Sequence, residues 1–230
     1  MSPVLPFDII ALIVDDIPGE NNNTNVLTEL ALVSHSFHQS CSKHLFATVE
    51  VHDVLPKSQS STERFVKLLE SSPGIVKYIR RLTYNTNYTE SQFIPSSTGN
   101  PPPSPSFDSS PIPNLLRTIS CLNYLKINLS GLNWPFLNPS LTSAFLHLMR
   151  LPTINHIDLS YIRNFPLSSF SPSVNLHRLD IQSVSSYKSS RPGEARDNTF
   201  EIFQSGMMPK LREFHSSFRV RHDGDEVVSC

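Results

Sequence analysis

Within the segment 31–46, ALVSHSFHQSCSKHLF, residues His35, His38, Cys41 and His44 recur at intervals of three. Imidazole nitrogen and thiolate sulfur are common ligands of zinc and its neighbours, so the chemistry this spacing could support is metal binding. On a helix, however, three residues turn about 300°, which sets His35 and His44 about 180° apart, and one tetrahedral ion cannot gather all four groups. Phe37, Cys41 and His44 fall instead within an arc of about 60°, with Leu45 beside them. The expectation is no metal site, with the histidines on the surface and Cys41 packed as a small hydrophobe. Other chemistry finds no better footing. The chain lacks G-x-S-x-G, a Walker loop, G-x-G-x-x-G, H-E-x-x-H and C-x-x-C, so no catalytic residue and no cofactor is expected. The acidic run DGDE at 223–226 has half the ligands of a calcium loop and reads as a solvated tail.

The elements that carry these residues begin with a small helical module. Pro6 can open a helix, Asp8 suits its first turn, and Ile9, Ile10, Ile13, Val14 and Ile17 repeat at helical spacing with Asp15 and Asp16 outward. Pro18 and Gly19 end that helix, GENNNTN at 19–25 reads as a polar loop, a second helix carries Leu27, Leu30, Ala31 and Val33, and a third carries Phe37, Cys41, Leu45 and Phe46. The N-terminal apolar run has no basic flank and contains three acids, so it is expected to be a helix rather than a signal peptide. Three widely spaced cysteines fit a reducing compartment, and a cytoplasmic or nuclear location is expected. With a net charge of −1 and a pI near 6.7, neither nucleic acid nor an anionic membrane is an expected partner.

Beyond the module the texture changes. TVEV at 48–51 alternates as a strand does, STERFVKLLESS has the period of a helix, and KYIRRLTY alternates again. An apolar pattern with the spacing L-x-x-L-x-L then recurs at Ile79-Leu82-Tyr84, Leu122-Leu125-Ile127, Ile154-Ile157-Leu159 and Leu176-Leu179-Ile181, and in worn form at Leu211-Phe214. Such a core predicts short parallel strands stacked on one another, each coil burying its face only against its neighbours. The amphipathic stretches 140–151 and 198–208 are the expected outer helices. Residues 92–113, rich in Pro and Ser, are expected to be a disordered loop. The fold class that follows is α/β, with a helical module at 1–51 and an irregular repeat region at 52–230. Strand alternation turns Arg81 and Thr83, Tyr124 and Lys126, His156 and Asp158, Arg178 and Asp180, and Glu213 and His215 away from the core.

Residues 5–17 (LPFDIIALIVDDI), 27–37 (LTELALVSHSF) and 44–49 (HLFATV) together resemble an F-box, and the remainder resembles the degenerate leucine-rich repeats that often follow one. Phe46 stands where that family often has Trp, and GENNNTN lengthens the first loop. The resemblance implies a three-helix module docked on a Skp-type adaptor and, through it, on a cullin-RING ubiquitin ligase. On that reading Leu5, Pro6, Ile9, Ile13, Val33, Phe37, Leu45 and Phe46 divide between module core and adaptor contact, with Leu5 and Pro6 first among the contacts. The chain would be a non-enzymatic substrate receptor, holding an unknown protein substrate on its sheet face through Tyr124, Lys126, His156, Asp158, Arg178 and Asp180. The alternative is a leucine-rich-repeat interaction scaffold whose helices only cap the repeats, with no ligase role. The last repeat is worn and RVRHDGDEVVSC does not read as a polar cap, which fits a shortened member or a fragment.

Overall fold

The computed structural model describes residues 5–17, 23–53, 61–86, 111–170, 175–184 and 210–217. Three helices come first: α1 (Phe7–Asp16), α2 (Asn23–Ala31) and α3 (His35–Leu45). Pro6 occupies the N-cap of α1, and Ser34 caps α3, its hydroxyl accepting from the Phe37 amide at 3.3 Å. Both α1 and α2 pack on α3 around Ile10, Val14, Leu27 and Cys41, with Ile17, Leu30, Ala31, Phe37 and Leu45 partly buried against them. Two expectations shift here. Asn23–Asn25, read as loop, open α2, and Val33 lies beyond the end of α2, where it is exposed with Leu32.

The remainder forms one six-stranded parallel sheet in the order β1 (Thr48–Asp53), β2 (Arg81–Thr86), β3 (Tyr124–Asn128), β4 (His156–Ser160), β5 (Arg178–Gln182) and β6 (Glu213–Ser217). Each strand neighbours the one before it in sequence, so every crossover advances the sheet by one place in the same direction. Two inward rows run across it in register: Val49-Leu82-Leu125-Ile157-Leu179-Phe214 and Val51-Tyr84-Ile127-Leu159-Ile181-Ser216. The plug residues Ile79, Leu122, Ile154 and Leu176 are fully buried below them. Strand entry repeats as a backbone motif. The carbonyls of Ala47, Arg80, Asn123, Asn155 and His177 each accept from two successive amides of the next coil, at 2.8–3.1 Å. Strand exit repeats too, since Ser130, Tyr161 and Ser183, just past β3, β4 and β5, all take φ of 51–53°. A left-handed conformation in a residue with a side chain costs about 1–2 kcal/mol, which the ladder around each turn must offset.

Among the described residues, helices cover one face of the sheet. These are α4 (Ser61–Ser71), α5 (Ile112–Thr118) and α6 (Pro139–Met149), which add Phe65, Leu69, Leu116, Ala144, Phe145 and Leu148 to the same core. Its aromatic centre is Trp134, edge-on to Phe165 at 4.7 Å and 6.2 Å from Phe145, whose ring meets Tyr84 at 5.1 Å. Parallel sheets are usually covered on both faces and read as continuous apolar runs. This one alternates buried and open positions along β2, β3 and β5, and along β4 as far as Ser160, an outward residue that is itself buried.

The expected outer helix at 140–151 is α6, whereas 198–208 lies outside the described residues. Of the expected loop 92–113, residues up to 110 lie outside the description, while Ile112 and Pro113 form the first turn of α5 with Ile112 buried. Proline is tolerated in that first turn, so it does not end the apolar segment there. Strand β1 straddles residue 51 and belongs to the sheet, so the helical module stops at α3 and passes directly into the first strand.

Candidate functional site

The open sheet face takes every second residue of each strand, and register lays these residues out as rows. One row reads Thr48-Arg81-Tyr124-His156-Arg178-Glu213, and the next Glu50-Thr83-Lys126-Asp158-Asp180-His215. All six residues expected at a partner-binding face therefore share one surface, and most are joined there. The Arg81 guanidinium lies 4.0 Å from the centre of the Tyr124 ring, and His156 meets that ring edge-on at 4.6 Å. His156 Nε2 is 2.8 Å from Asp180 Oδ2, which also accepts from Arg178 Nε at 3.0 Å. Arg178 reaches across to Glu213 at 3.2 Å, and Lys126 Nζ pairs with Asp158 Oδ2 at 3.0 Å.

These contacts set the charge states. Partial burial pushes the Asp180 carboxyl up, but hydrogen bonds from His156 and Arg178 outweigh it and hold the group below the ordinary carboxylate range. The hydrogen bond to Asp158 holds the Lys126 ammonium above its usual value. Burial, followed by the Asp158 charge, raises the Tyr124 phenol. The face is thus a pre-ordered set of charges around an aromatic ring, with Lys126 and Arg178 compensated by acids, a texture suited to binding a polar partner.

Sequence reasoning stopped one strand short. Glu50 and His52 on β1 and Asn85 on β2 extend the same face: Glu50 Oε1 accepts from Asn85 Nδ2 at 2.8 Å and lies 3.2 Å from His52 Nε2. The alternation in TVEV was the signal, since Val49 and Val51 pointing inward leave Glu50 and His52 outward.

A second surface lies on the helical module. Leu5, Phe7, Ile9, Leu12 and Ile13 of the α1 region are 41–66% exposed, and Val26, Val33 and Leu32 are exposed by 43%, 66% and 83%. Ile9, Leu12 and Ile13 share one side of α1, while Ile10 and Val14 on the adjoining side form the core. Of the residues named for adaptor contact, Leu5, Pro6, Ile9, Ile13 and Val33 are exposed, Phe37 and Leu45 pack partly into the module core, and Phe46 is half-buried just after α3.

The His and Cys residues of α3 scatter as the helix requires. His35 and His38 are exposed, and Cys41 is fully buried, where desolvation raises its thiol. His44 Nε2 sits 2.7 Å from Asp15 Oδ1, tying α3 to the C-terminal turn of α1. Among the described residues no group of three or more His, Cys, Asp or Glu is placed to hold a metal ion. Among them, too, no helix is long and apolar enough to cross a membrane. No protein-family model matches the chain, and no curated protein matches it.

Proposed function

We propose that the chain is a substrate receptor of a cullin-RING ubiquitin ligase, with α1–α3 acting as an F-box on a Skp-type adaptor and the open sheet face holding a protein substrate. The observation that carries this reading is the second apolar side of α1. A helix that is apolar around most of its circumference is normally enclosed, yet the module covers only Ile10 and Val14 and leaves Ile9, Leu12 and Ile13 to solvent. Burying those three against a partner would gain about 1.5–3 kcal/mol each for full burial, discounted here because they are already partly covered. In this role the chain performs no bond chemistry; it supplies proximity and orientation to a conjugating enzyme carried elsewhere in the assembly.

The direct test is co-purification with a Skp-type adaptor. The unaltered chain should form a complex, and Ile9→Asp with Ile13→Asp should abolish it while leaving the circular dichroism spectrum intact. An unaltered chain that forms no complex, or a double variant that still does, ends this reading.

The scaffold reading draws on a different observation. The chain runs from α3 straight into β1, and α3 packs against the 3-10 turn Pro73–Tyr78, as a cap on the first edge of the sheet would. A scaffold without ligase function predicts bound partners whose turnover is unchanged when the chain is depleted.

A further inference from the structure

We propose that Arg81, seated on the ring of Tyr124, is the specificity-determining anchor of the sheet face and takes one carboxylate from an acidic segment of a protein partner. The inference rests on that face being a partner-binding surface, as in the reading above. Among the described residues, three Arg and Lys side chains stand at the outward strand positions: Arg81, Lys126 and Arg178. Lys126 is taken up by Asp158, and Arg178 by Asp180 and Glu213. Arg81 makes no ion pair among the described residues, and its contact is with the Tyr124 ring. Stacking on a ring occupies the flat side of a guanidinium and leaves its N–H edge free, the edge that grips a carboxylate through two parallel hydrogen bonds.

The seat is held in place before any partner arrives. Tyr124 is braced by His156 from one side and by Asp158, 3.5 Å from its hydroxyl, so the ring that orients Arg81 is itself oriented. Thr48, opposite Arg81 in register, and Thr83, two residues along the same strand, bring hydroxyl groups to the same part of the face. Glu50, one strand over, is engaged by Asn85 and His52. The count of charges selects the ligand. A phosphate brings about −1.5 to −2 and calls for a second uncommitted cation, whereas a single free guanidinium matches one carboxylate. Stacked Arg and Tyr are also the residue types that most often carry binding energy at interfaces.

A random dodecapeptide library displayed on phage, selected on the immobilised full-length chain, tests this. The selected pool should be enriched in Asp or Glu at one position. A synthetic peptide from it should lose about tenfold or more in affinity when that acid becomes its amide, and by a similar factor on Arg81→Ala. The two changes together should cost little more than either alone, because they remove the same contact. Tyr124→Leu should weaken binding as well, and Arg81→Lys should restore only part of it. A selection that yields no binder, a pool without acids, acid-dependent binding indifferent to Arg81→Ala, or capture that needs phosphoserine in place of the acid would each overturn the proposal. Adaptor co-purification on the same variants separates the two readings: Arg81→Ala should keep the adaptor, and a chain that never binds adaptor can still select acidic peptides.

Discussion

Replacing Ile157 by alanine removes three carbons from a side chain that is fully buried in the middle of an inward row, between Leu125 and Leu179. At about 0.8 kcal/mol per buried methylene the lost transfer energy is about 2.4 kcal/mol. The neighbours are strands locked in register on both sides, so the cavity collapses only in part and the total should reach about 3–4 kcal/mol. Phe214 belongs to the same row but stands at β6 and is 41% exposed. Its truncation opens to solvent rather than leaving a closed void, and scaling full Phe burial by the covered fraction gives about 1–2 kcal/mol. Urea unfolding followed by far-UV circular dichroism and by the fluorescence of the single tryptophan would measure both. Trp134 lies in the same core cluster as Ile157, so the two probes should report coincident transitions in an unbroken core. Equal losses for the two variants, or a loss below about 1 kcal/mol for Ile157→Ala, would refute the assignment of this row as a continuous core that fades at β6.

Three further outcomes follow from the same geometry. The folded-state pKa of Asp180 is depressed, so its contribution to stability is present above the unfolded carboxylate value, about 3.9, and is lost as pH falls through the lower folded value. Urea midpoints should therefore drop over that acid window, and by less in Asp180→Asn. Alkylation by iodoacetamide at neutral pH, read by peptide mass mapping, should modify half-exposed Cys121, whose thiol is lowered by the adjacent Arg80, well before Cys41, which is buried and raised. Val14→Asp would bury a carboxylate at a fully enclosed site among Ile10, Leu27 and Cys41; it should unfold α1–α3, seen as lost helical signal and rapid proteolysis, while Ile13→Asp next to it leaves both unchanged.

Much of the sheet was legible because its period is short and local. Every inner position of the four strong L-x-x-L-x-L matches is buried, and alternation alone brought Tyr124, Lys126, His156, Asp158, Arg178 and Asp180 to the opposite face. Glu50 and His52 went unassigned because β1 follows the helical module directly, and Phe46, which the register sets at the plug position opposite Ile79, was counted with the third helix. On α1 the helical period grouped Ile9, Ile10, Ile13, Val14 and Ile17 as apolar, and only the structure separates them into a covered and an open side.

The sequence by itself determined which residues of β2 to β5 point inward and outward, because side-chain direction along a strand alternates with the immediate neighbours. It could not determine which residues meet across strands, because register depends on how crossovers of unequal length close, and a slip of one residue would exchange the faces. The seating of Arg81 on Tyr124, the reach of His156 to Asp180, and the pairing of His44 with Asp15 join residues far apart in the chain. Only the tertiary structure decided them, because each contact requires two elements to be fixed relative to one another before either side chain has a partner.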